Sequence, residues 1–277
     1  MVTPTDQQLK KRFPVMEIFG PTIQGEGLVA GTQTHFIRFG YCDYKCTKCD
    51  SLHAVLPESV KKHATLMTVT EIMDRLVGDN FEADVPWVTL SGGNPAMHDL
   101  EYLVMTLQEH GFKVAVETQA TLSPLWLHQV DVLTLSPKPP GMGVEFEHDK
   151  YFTCLDKFKN HPGLNIKIPI FDRKDLDFAV NIWDESGSWI GHRDIFYLSL
   201  GNPWPPSSGL NPDHIDEPVY AKKNAVLTDD EHIALALIDR YKEVYKMINE
   251  HPNHTTLAMY RFLPQLHVLL WGNARGK

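Results

Sequence analysis

Three of the four cysteines in this chain of 277 residues lie close together in the segment CDYKCTKC, as Cys42, Cys46 and Cys49. Three thiolates on one short loop are able to bind a single metal centre. A cubane [4Fe–4S] cluster has four irons, which four cysteines would ligate completely. A loop with three cysteines leaves one iron without a protein ligand, and that iron is open to a small molecule. The fold must therefore place a small-molecule site next to this loop.

Two other interpretations of the cysteines stay open at this point. A zinc site would need a fourth ligand, for which His53 is the candidate, but zinc ligands usually come as two distant pairs. A disulfide between two of the three cysteines would leave the third unpaired. The remaining cysteine, Cys154, is isolated in a helical pattern, and we expect it to be a small buried apolar residue.

Composition restricts the class of protein and the class of partner. Hydrophobic residues make up 43% and charged residues 22% of the chain, as in an ordinary soluble globular protein. The sequence has neither an apolar run of membrane-spanning length nor the apolar core of a signal peptide. We therefore expect a cytoplasmic protein without a membrane partner, in a compartment where thiols stay reduced. A net charge of −9 argues against nucleic acid as the main partner.

Hydrophobic periodicity predicts an alternation of strands and helices at the spacing of βα units. Strands are expected at 15–19, 34–39, 87–91, 113–118, 131–135, 164–170 and 194–200, and helices at 70–77, 97–110, 149–160, 173–185 and 229–250. About six such repeats are too few for a closed eight-stranded barrel. We predict an α/β fold with a partial, open TIM-like (β/α)6 barrel.

The domain organisation follows from the same patterns. A single domain is expected over 14–277, with a flexible tail at 1–13 and a long loop near 201–225, because both segments are polar and lack periodicity. The helix predicted at 70–77 should begin at a threonine cap, either Thr68 or Thr70.

Several loops after predicted strands carry groups suited to ligand binding. Gly25 lies between Gln24 and Glu26 in a loop whose backbone is able to approach a ligand closely. Arg38 ends the strand before the cysteines, where a guanidinium binds carboxylates well. A surface turn and a surface ion pair are the plainer interpretations of these two features. Glu117 ends another strand, and we expect it to bind substrate, handle a proton or make a structural hydrogen bond.

Further candidates carry weaker signals. The glycine pair that ends at Gly93 forms a bend with exposed amides suited to a carboxylate or a phosphate, and a purely structural turn is the plainer interpretation. Prolines on both sides of Lys138 fix the direction of that segment. Lys167 is either a cation inside the barrel or an exposed one. Gln265 and His267 are secondary site candidates, and a histidine among apolar residues is more often a core residue.

The cysteine spacing resembles the signature of the radical S-adenosylmethionine (SAM) superfamily. The segments EIFGPTIQGEG and FIRFGYCDYKCTKCDS, with the later GGNP and SPK segments, resemble the 7-carboxy-7-deazaguanine synthase family. This resemblance implies a radical SAM core that uses a [4Fe–4S] cluster, SAM and Mg²⁺. It also implies a lyase that converts 6-carboxy-5,6,7,8-tetrahydropterin into 7-carboxy-7-deazaguanine with loss of ammonia, in queuosine precursor biosynthesis. Because cofactors carry such chemistry, we expect no side-chain nucleophile.

The resemblance also implies roles for individual residues. Cluster ligation is implied for Cys42, Cys46 and Cys49, and Mg²⁺ ligation for Ser51. SAM contacts are implied for Lys48, Cys49, Asp50, Gly93, Ser136, Pro137 and Lys138. Substrate contacts are implied for Ile23, Gln24, Gly25, Arg38 and Ser91, and the residue patterns add Glu26 and Glu117. The C-terminal segment resembles that of one subgroup of the family, in which it closes the site, and this makes Gln265 a further candidate. Lys48 and Asn94 depart from the family pattern, which often has an aromatic residue and a glutamate at these positions.

The partners implied by the resemblance are an electron donor such as flavodoxin or ferredoxin and a second copy of the chain in a homodimer. Two other classes remain. A radical-activating enzyme would share the cysteine loop and act on a protein partner, but it often has extra cysteines, and this chain has only Cys154 left. A non-enzymatic zinc or iron–sulfur module would lack the GGNP and SPK segments.

Overall fold

The computed structural model describes residues 5–78, 85–191, 195–202 and 230–271. One mixed sheet runs through these residues. Its strands are β1 Phe13–Ile23, β2 Gln33–Phe39, β3 Thr65–Met67, β4 Trp87–Gly92, β5 Lys113–Thr118, β6 Val132–Leu135, β7 Leu164–Ile170, β8 Phe196–Leu200 and β9 Arg261–Leu263. The helices are α1 Asp6–Lys10, α2 Leu52–Val55, α3 Pro57–His63, α4 Val69–Val77, α5 Glu101–Glu109, α6 His148–Phe158, α7 Arg173–Ile190, α8 Asp230–Asn249, α9 His254–Leu257 and α10 Leu266–Trp271.

The strands follow the order β3-β1-β2-β4-β5-β6-β7-β8-β9. From β2 to β9 all neighbours pair in parallel, whereas β1 is antiparallel to both β2 and β3. In the described part of the chain β3 and β9 are the two edges, so the sheet is open. The predicted α/β fold with an open sheet is confirmed, but the number of strands is larger than expected. The edge strands β3 and β9 have three residues each, which are too few to show the alternation of apolar and polar residues that predicts a strand.

The core lies between the sheet and the helices that connect its strands. In α5 the side chains of Leu103, Val104 and Leu107 are fully buried, as the helical period predicts. The helix is shorter than the expected 97–110, because a 3₁₀ turn at Pro95–Met97 precedes it. The predicted burial of Cys154, on α6, is confirmed.

The other face of the parallel strands is polar although it is also buried. In β7 the side chains of Ile166 and Ile168 are fully buried among apolar residues, and the alternate residues are Asn165 and Lys167. Because successive side chains in a strand point to opposite faces, the polar set lies on the face away from the core helices. This polar interior leads to the carboxyl ends of the strands, where the candidate site lies.

Two other expectations concern the ends and loops of the chain. Within the segment expected to be a tail, Asp6–Lys10 form α1, because the Thr5 side chain and Gln8 make reciprocal capping hydrogen bonds. The long loop predicted near 201–225 lies outside the described residues after Asn202. No helix among the described residues is long and apolar enough to cross a membrane.

The cap of α4 gives a direct test of how its sequence sets the start of a helix. Thr68 accepts a hydrogen bond from the Glu71 amide, and the Glu71 side chain accepts one from the Thr68 amide. Thr68→Ala should therefore lower the free energy of unfolding by about 1 kcal/mol. Thr70→Ala, on the exposed surface of the same helix, is the control and should be neutral or slightly stabilising. Denaturant titration checks both, and a larger loss for Thr70→Ala would contradict this account.

Candidate active site

A cavity of about 260 Å³ lies at the carboxyl ends of the parallel strands. Most of the residues expected at a site line it, although they come from distant parts of the sequence. The expected residues in its wall are Ile23, Gln24, Glu26, Arg38, Cys42, Cys46, Lys48, Cys49, Asp50, Ser51, Gly93, Ser91, Glu117, Lys138 and Gln265. Gly25 and Pro137 are next to lining residues in the sequence, and Ser136 is two residues before Lys138, but none of the three forms part of the wall. The structure thus brings the loops of six strands to one place.

The cysteine loop follows β2 directly. Tyr41 has a φ of 75°, a left-handed conformation that turns the chain out of the strand just before Cys42. All three thiols are free and line the cavity. The backbone amide of Tyr44 donates to Cys42 Sγ and that of Ser51 donates to Cys49 Sγ, each at 3.4 Å. Amides directed at sulfur stabilise thiolates, as an iron–sulfur cluster requires.

The thiols differ from the ligands of a single metal ion. Among the described residues, no group of three or more His, Cys, Asp or Glu side chains is close enough to hold one ion. In a cubane each thiolate binds a different iron, so its sulfurs are farther apart than the ligands of one zinc ion. His53, the fourth ligand considered for zinc, places Nε2 3.3 Å from Glu17 Oε1. His53 therefore has a carboxylate of the cavity wall as its partner.

Burial determines the protonation of the thiols when no metal binds them. Burial raises the pKa of Cys46 to about 11 and raises the pKa values of Cys42 and Cys49 as well. Cluster assembly on this loop must therefore release protons, because the thiolate is the ligand.

A hydrogen-bond network anchors the cysteine loop to the neighbouring strands. Asp43 accepts hydrogen bonds from Asn94 Nδ2, at 2.8 Å, and from the side chains of Gln119 and Thr121. Gln119 Nε2 also lies 3.4 Å from Cys42 Sγ. Sequence reasoning missed the partners Gln119 and Thr121, which are adjacent to the end of β5 and show no motif.

The same network explains the departure at Asn94. This side chain is fully buried, and its Oδ1 accepts hydrogen bonds from Thr118 Oγ1 and the Ala96 amide. It therefore both donates and accepts, which a carboxylate could not do beside Asp43. In this chain residue 94 holds the cysteine loop and is absent from the cavity wall.

The glycine bend after β4 packs directly on the backbone of the cysteine loop. Gly92 has a φ of +140°, and the amide of Gly93 donates to the Phe39 carbonyl at 3.0 Å. A Cβ on Gly93 would overlap the Tyr41 carbonyl oxygen. Glycine is required here for close approach of two backbones as well as for the turn.

Arg38 is part of a chain of polar contacts along one wall. Its Nε donates to Glu17 Oε1 at 2.6 Å and its Nη1 to Ser51 Oγ at 2.9 Å, and Ser51 Oγ donates to Asp50 Oδ1 at 2.9 Å. Burial by itself would raise the pKa of Glu17, but the hydrogen bond from His53 and the Arg38 charge lower it to about 2. Glu17 is a site residue that sequence reasoning missed, since it appeared only as part of a strand.

Lys48 and Lys138 reach the cavity from two sides. The Lys48 ammonium lies 4.2 Å from the centre of the Phe171 ring, a cation–π contact. Phe171 follows β7 and provides an aromatic surface in the cavity wall that the cysteine loop itself lacks at residue 48. Lys138 Nζ donates to the buried hydroxyl of Ser136 at 2.9 Å, which fixes the direction of its side chain.

Lys167 is buried on the polar face of the sheet. Of the interior and exposed positions considered for this cation, the interior one is correct. Its Nζ is 2.7 Å from Glu117 Oε1 and 3.0 Å from Glu26 Oε2. Ser199 and Gln265 also donate to Glu26, and the latter contact connects the C-terminal segment to this group.

The C-terminal segment closes one side of the cavity. The amide of Leu266 donates to the Gly25 carbonyl at 3.3 Å, and a Cβ on Gly25 would overlap the His267 ring. His267 is partly exposed and lines the cavity, so it is not a core histidine. The side-chain atoms Ser91 Oγ and Gln265 Oε1 are buried without a hydrogen-bond partner among the described residues. Such atoms are rare, and polar atoms of a ligand would satisfy them.

Comparisons with known proteins identify relatives of this chain. The chain is 35% identical over 269 residues to 7-carboxy-7-deazaguanine synthase from Bacillus cereus, covering 96% of this chain and 99% of that protein. It is 36% identical over 279 residues to the protein of the same name from Bacillus subtilis, covering 97% and 100%. No protein-family model matches the chain. Among solved structures, QueE from Escherichia coli matches with a TM-score of 0.53 and 22% identity, over 70% of this chain and 85% of that one, which supports the fold.

The anchoring role of Asn94 leads to a stability prediction. Asn94→Asp would remove the donor to Asp43 and place a second carboxylate beside it in a buried position. We expect the free energy of unfolding to fall by about 3 kcal/mol. Asn160→Asp makes the same chemical change at an exposed residue and should have little effect. Denaturant titration measures both, and equal stability of Asn94→Asp and the unsubstituted protein would refute the anchoring role.

Proposed function

Because the chain belongs to the 7-carboxy-7-deazaguanine synthase family, we propose that it converts 6-carboxy-5,6,7,8-tetrahydropterin into 7-carboxy-7-deazaguanine with loss of ammonia. It acts as a radical SAM lyase that makes a queuosine precursor. The observation that carries this proposal is the common cavity. Three free thiols on one loop face the same space as Arg38 and the polar ends of the parallel strands.

Cys42, Cys46 and Cys49 are the ligands of a [4Fe–4S] cluster in this proposal. The amides directed at two of their sulfur atoms and the position of all three free thiols on one cavity wall support this assignment. When bound, the cluster and SAM supply a carbon radical that abstracts hydrogen from the substrate. The role of the protein is to bind and orient both molecules and to exclude water.

The SAM site lies between the cysteine loop and the ends of β4 and β6. Its proposed residues are Lys48, Cys49, Asp50, Gly93, Ser136, Pro137 and Lys138. Lys138, oriented by Ser136, offers a cation to the carboxylate of SAM. Phe171 offers the aromatic face that other family members have at the position of Lys48.

Ser51 is the proposed Mg²⁺ ligand. Its hydroxyl donates to Asp50 and accepts one hydrogen bond from Arg38, which leaves one lone pair for a cation. Magnesium prefers hard oxygen ligands and usually keeps several waters, so one protein hydroxyl is a reasonable share of its coordination.

The pterin is proposed to bind with its carboxylate at Arg38. Two of the three guanidinium nitrogens contact Glu17 and Ser51, and Nη2 has no hydrogen-bond partner among the described residues. The other polar edges of the pterin would meet the unpartnered atoms Ser91 Oγ and Gln265 Oε1. The remaining proposed substrate contacts are Ile23, Gln24, Gly25, Glu26 and Glu117.

The partners proposed from the family resemblance are a flavodoxin or ferredoxin as electron donor and a second copy of the chain in a homodimer. A cytoplasmic location is proposed because the three free thiols must stay reduced to ligate a cluster.

Turnover with the pterin tests this function. Reconstituted protein should form the deazaguanine, detected by mass, under anaerobic conditions with SAM, Mg²⁺ and a reductant. Arg38→Gln should raise KM roughly 10- to 100-fold, because a hydrogen-bonded cation no longer meets the carboxylate. Arg12→Gln, which removes an exposed guanidinium paired with Glu71, is the control.

Two results would contradict this proposal. The first is a reconstituted protein that cleaves SAM but leaves the pterin unchanged. The second is an Arg38→Gln variant with the KM of the unsubstituted protein, which would remove Arg38 from the carboxylate site while leaving the reaction itself in place.

A further inference from the structure

A buried ion cluster, which consists of Lys167, Glu26 and Glu117, lies on the wall of the cavity. Lys167 is on β7, Glu117 is near the end of β5, and Glu26 follows β1. The ammonium lies 2.7 Å from Glu117 Oε1 and 3.0 Å from Glu26 Oε2. One cation therefore connects carboxylates from two segments that are far apart in the sequence.

Burial makes the charges of this cluster depend on one another. The exposed fraction of the side chain is 6% for Lys167 and 13% for Glu26. Burial by itself would lower the pKa of Lys167, but the charges of Glu117 and Glu26 raise it well above its ordinary value. Burial likewise opposes ionisation of Glu26, yet the Lys167 and His267 charges hold its pKa below the ordinary value. Without the ammonium, two carboxylates would face each other in a poorly solvated place.

The two carboxylates have different surroundings. Glu26 accepts hydrogen bonds from Lys167, Ser199 and Gln265, which occupy both of its oxygen atoms. Glu117 contacts Lys167 through Oε1, and its side chain is 30% exposed toward the cavity. Glu117 is thus the member of the cluster that is able to accept hydrogen bonds from a ligand.

We propose that Lys167 is a positioning residue that holds the Glu117 carboxylate in place and aimed into the cavity, so that it selects a ligand with two adjacent N–H donors. This inference rests on the proposed function, whose pterin has such a pair in N3–H and the 2-amino group. A carboxylate accepts two parallel hydrogen bonds from a donor pair of this kind.

The position of Glu117 suits this end of the pterin. Arg38 lies on β2 and Glu117 on β5, with only β4 between these strands. Neighbouring strands are about 4.8 Å apart, so the two side chains start about 10 Å apart along the sheet. A two-ring heterocycle with a carboxylate at one end and an amino group at the other spans such a distance.

Equilibrium binding separates this inference from catalysis. The probes are 6-carboxy-5,6,7,8-tetrahydropterin and its counterpart with oxygen in place of the 2-amino group, titrated anaerobically into reconstituted protein without SAM. The unsubstituted protein should prefer the amino ligand by roughly 30-fold, since the counterpart leaves a charged acceptor without its donor. This preference should be nearly the same at about pH 6 and about pH 7.5, because the Lys167 ammonium stays between the two carboxylates over this range.

Lys167→Met should reduce the preference to about threefold at pH 6, with partial recovery at the higher pH. The reason is that one of the facing carboxylates then takes up a proton, and raising the pH removes it. The other titratable or charged groups on the elements around Lys167 are Asp50, Tyr197, Arg261 and His267. Lys167→Arg should retain the preference, and Lys62→Met, at an exposed helix position, is the control.

Glu117→Gln and the double variant Lys167→Met/Glu117→Gln complete the design. The double variant removes one cation and one anion together, so it has no pair of facing carboxylates. It therefore remains measurable if Lys167→Met fails to fold. If Lys167 acts through Glu117, then Glu117→Gln and the double variant should prefer the amino ligand to the same extent. A further loss in the double variant would overturn the inference.

The outcomes distinguish this inference from the proposed function. If the unsubstituted protein binds neither ligand, the proposed function is wrong. If it selects the amino ligand and Lys167→Met selects it equally at both pH values, the role of Lys167 is wrong and the function stands. Reductive SAM cleavage without substrate by the control variant Lys62→Met should equal that of the unsubstituted protein.

Discussion

The rest of the site depends on one contact between two backbones. The glycine bend after β4 packs against the start of the cysteine loop. The amide of Gly93 donates a hydrogen bond to the carbonyl of Phe39, the last residue of β2, and no Cβ fits on residue 93. Asn94, the next residue, donates a hydrogen bond to Asp43 within the loop. The loop is thus held by the strand beside it, and three thiols reach the cavity on a rigid support. Precise placement of ligands on regular elements is what a cofactor site requires.

A second requirement is the management of charge in a confined space. Arg38 lies between Glu17 and Ser51, and Lys167 lies between two carboxylates on the far side of the cavity. Each cation is compensated, so the site carries its charges without large net repulsion. The result is a cavity with a guanidinium on one wall, carboxylates on another and thiols beside them, which suits a polar heterocycle that carries a carboxylate.

The sequence was informative where the signal is local. A continuous apolar run predicted β4, and hydrophobic periodicity predicted β5 and β7. The sequence also limited the N-cap of α4 to two residues, Thr68 or Thr70, and the structure shows that it is Thr68. The short edge strand β9 was missed because three residues show no period. Gln119 was missed because its contact with Asp43 joins residues 76 positions apart. The alternation in β7 gave the face of Lys167 but not whether that face is enclosed, which depends on the closing C-terminal segment.

The central claim is that the polypeptide ligates three irons of a cubane and leaves the fourth to SAM. Mössbauer spectroscopy of protein reconstituted with ⁵⁷Fe tests this most directly, with spectra recorded before and after SAM is added. The account predicts four irons per chain, one of which changes its isomer shift when SAM binds while three stay the same. Four irons that are indifferent to SAM, or one zinc ion without sulfide, would contradict it.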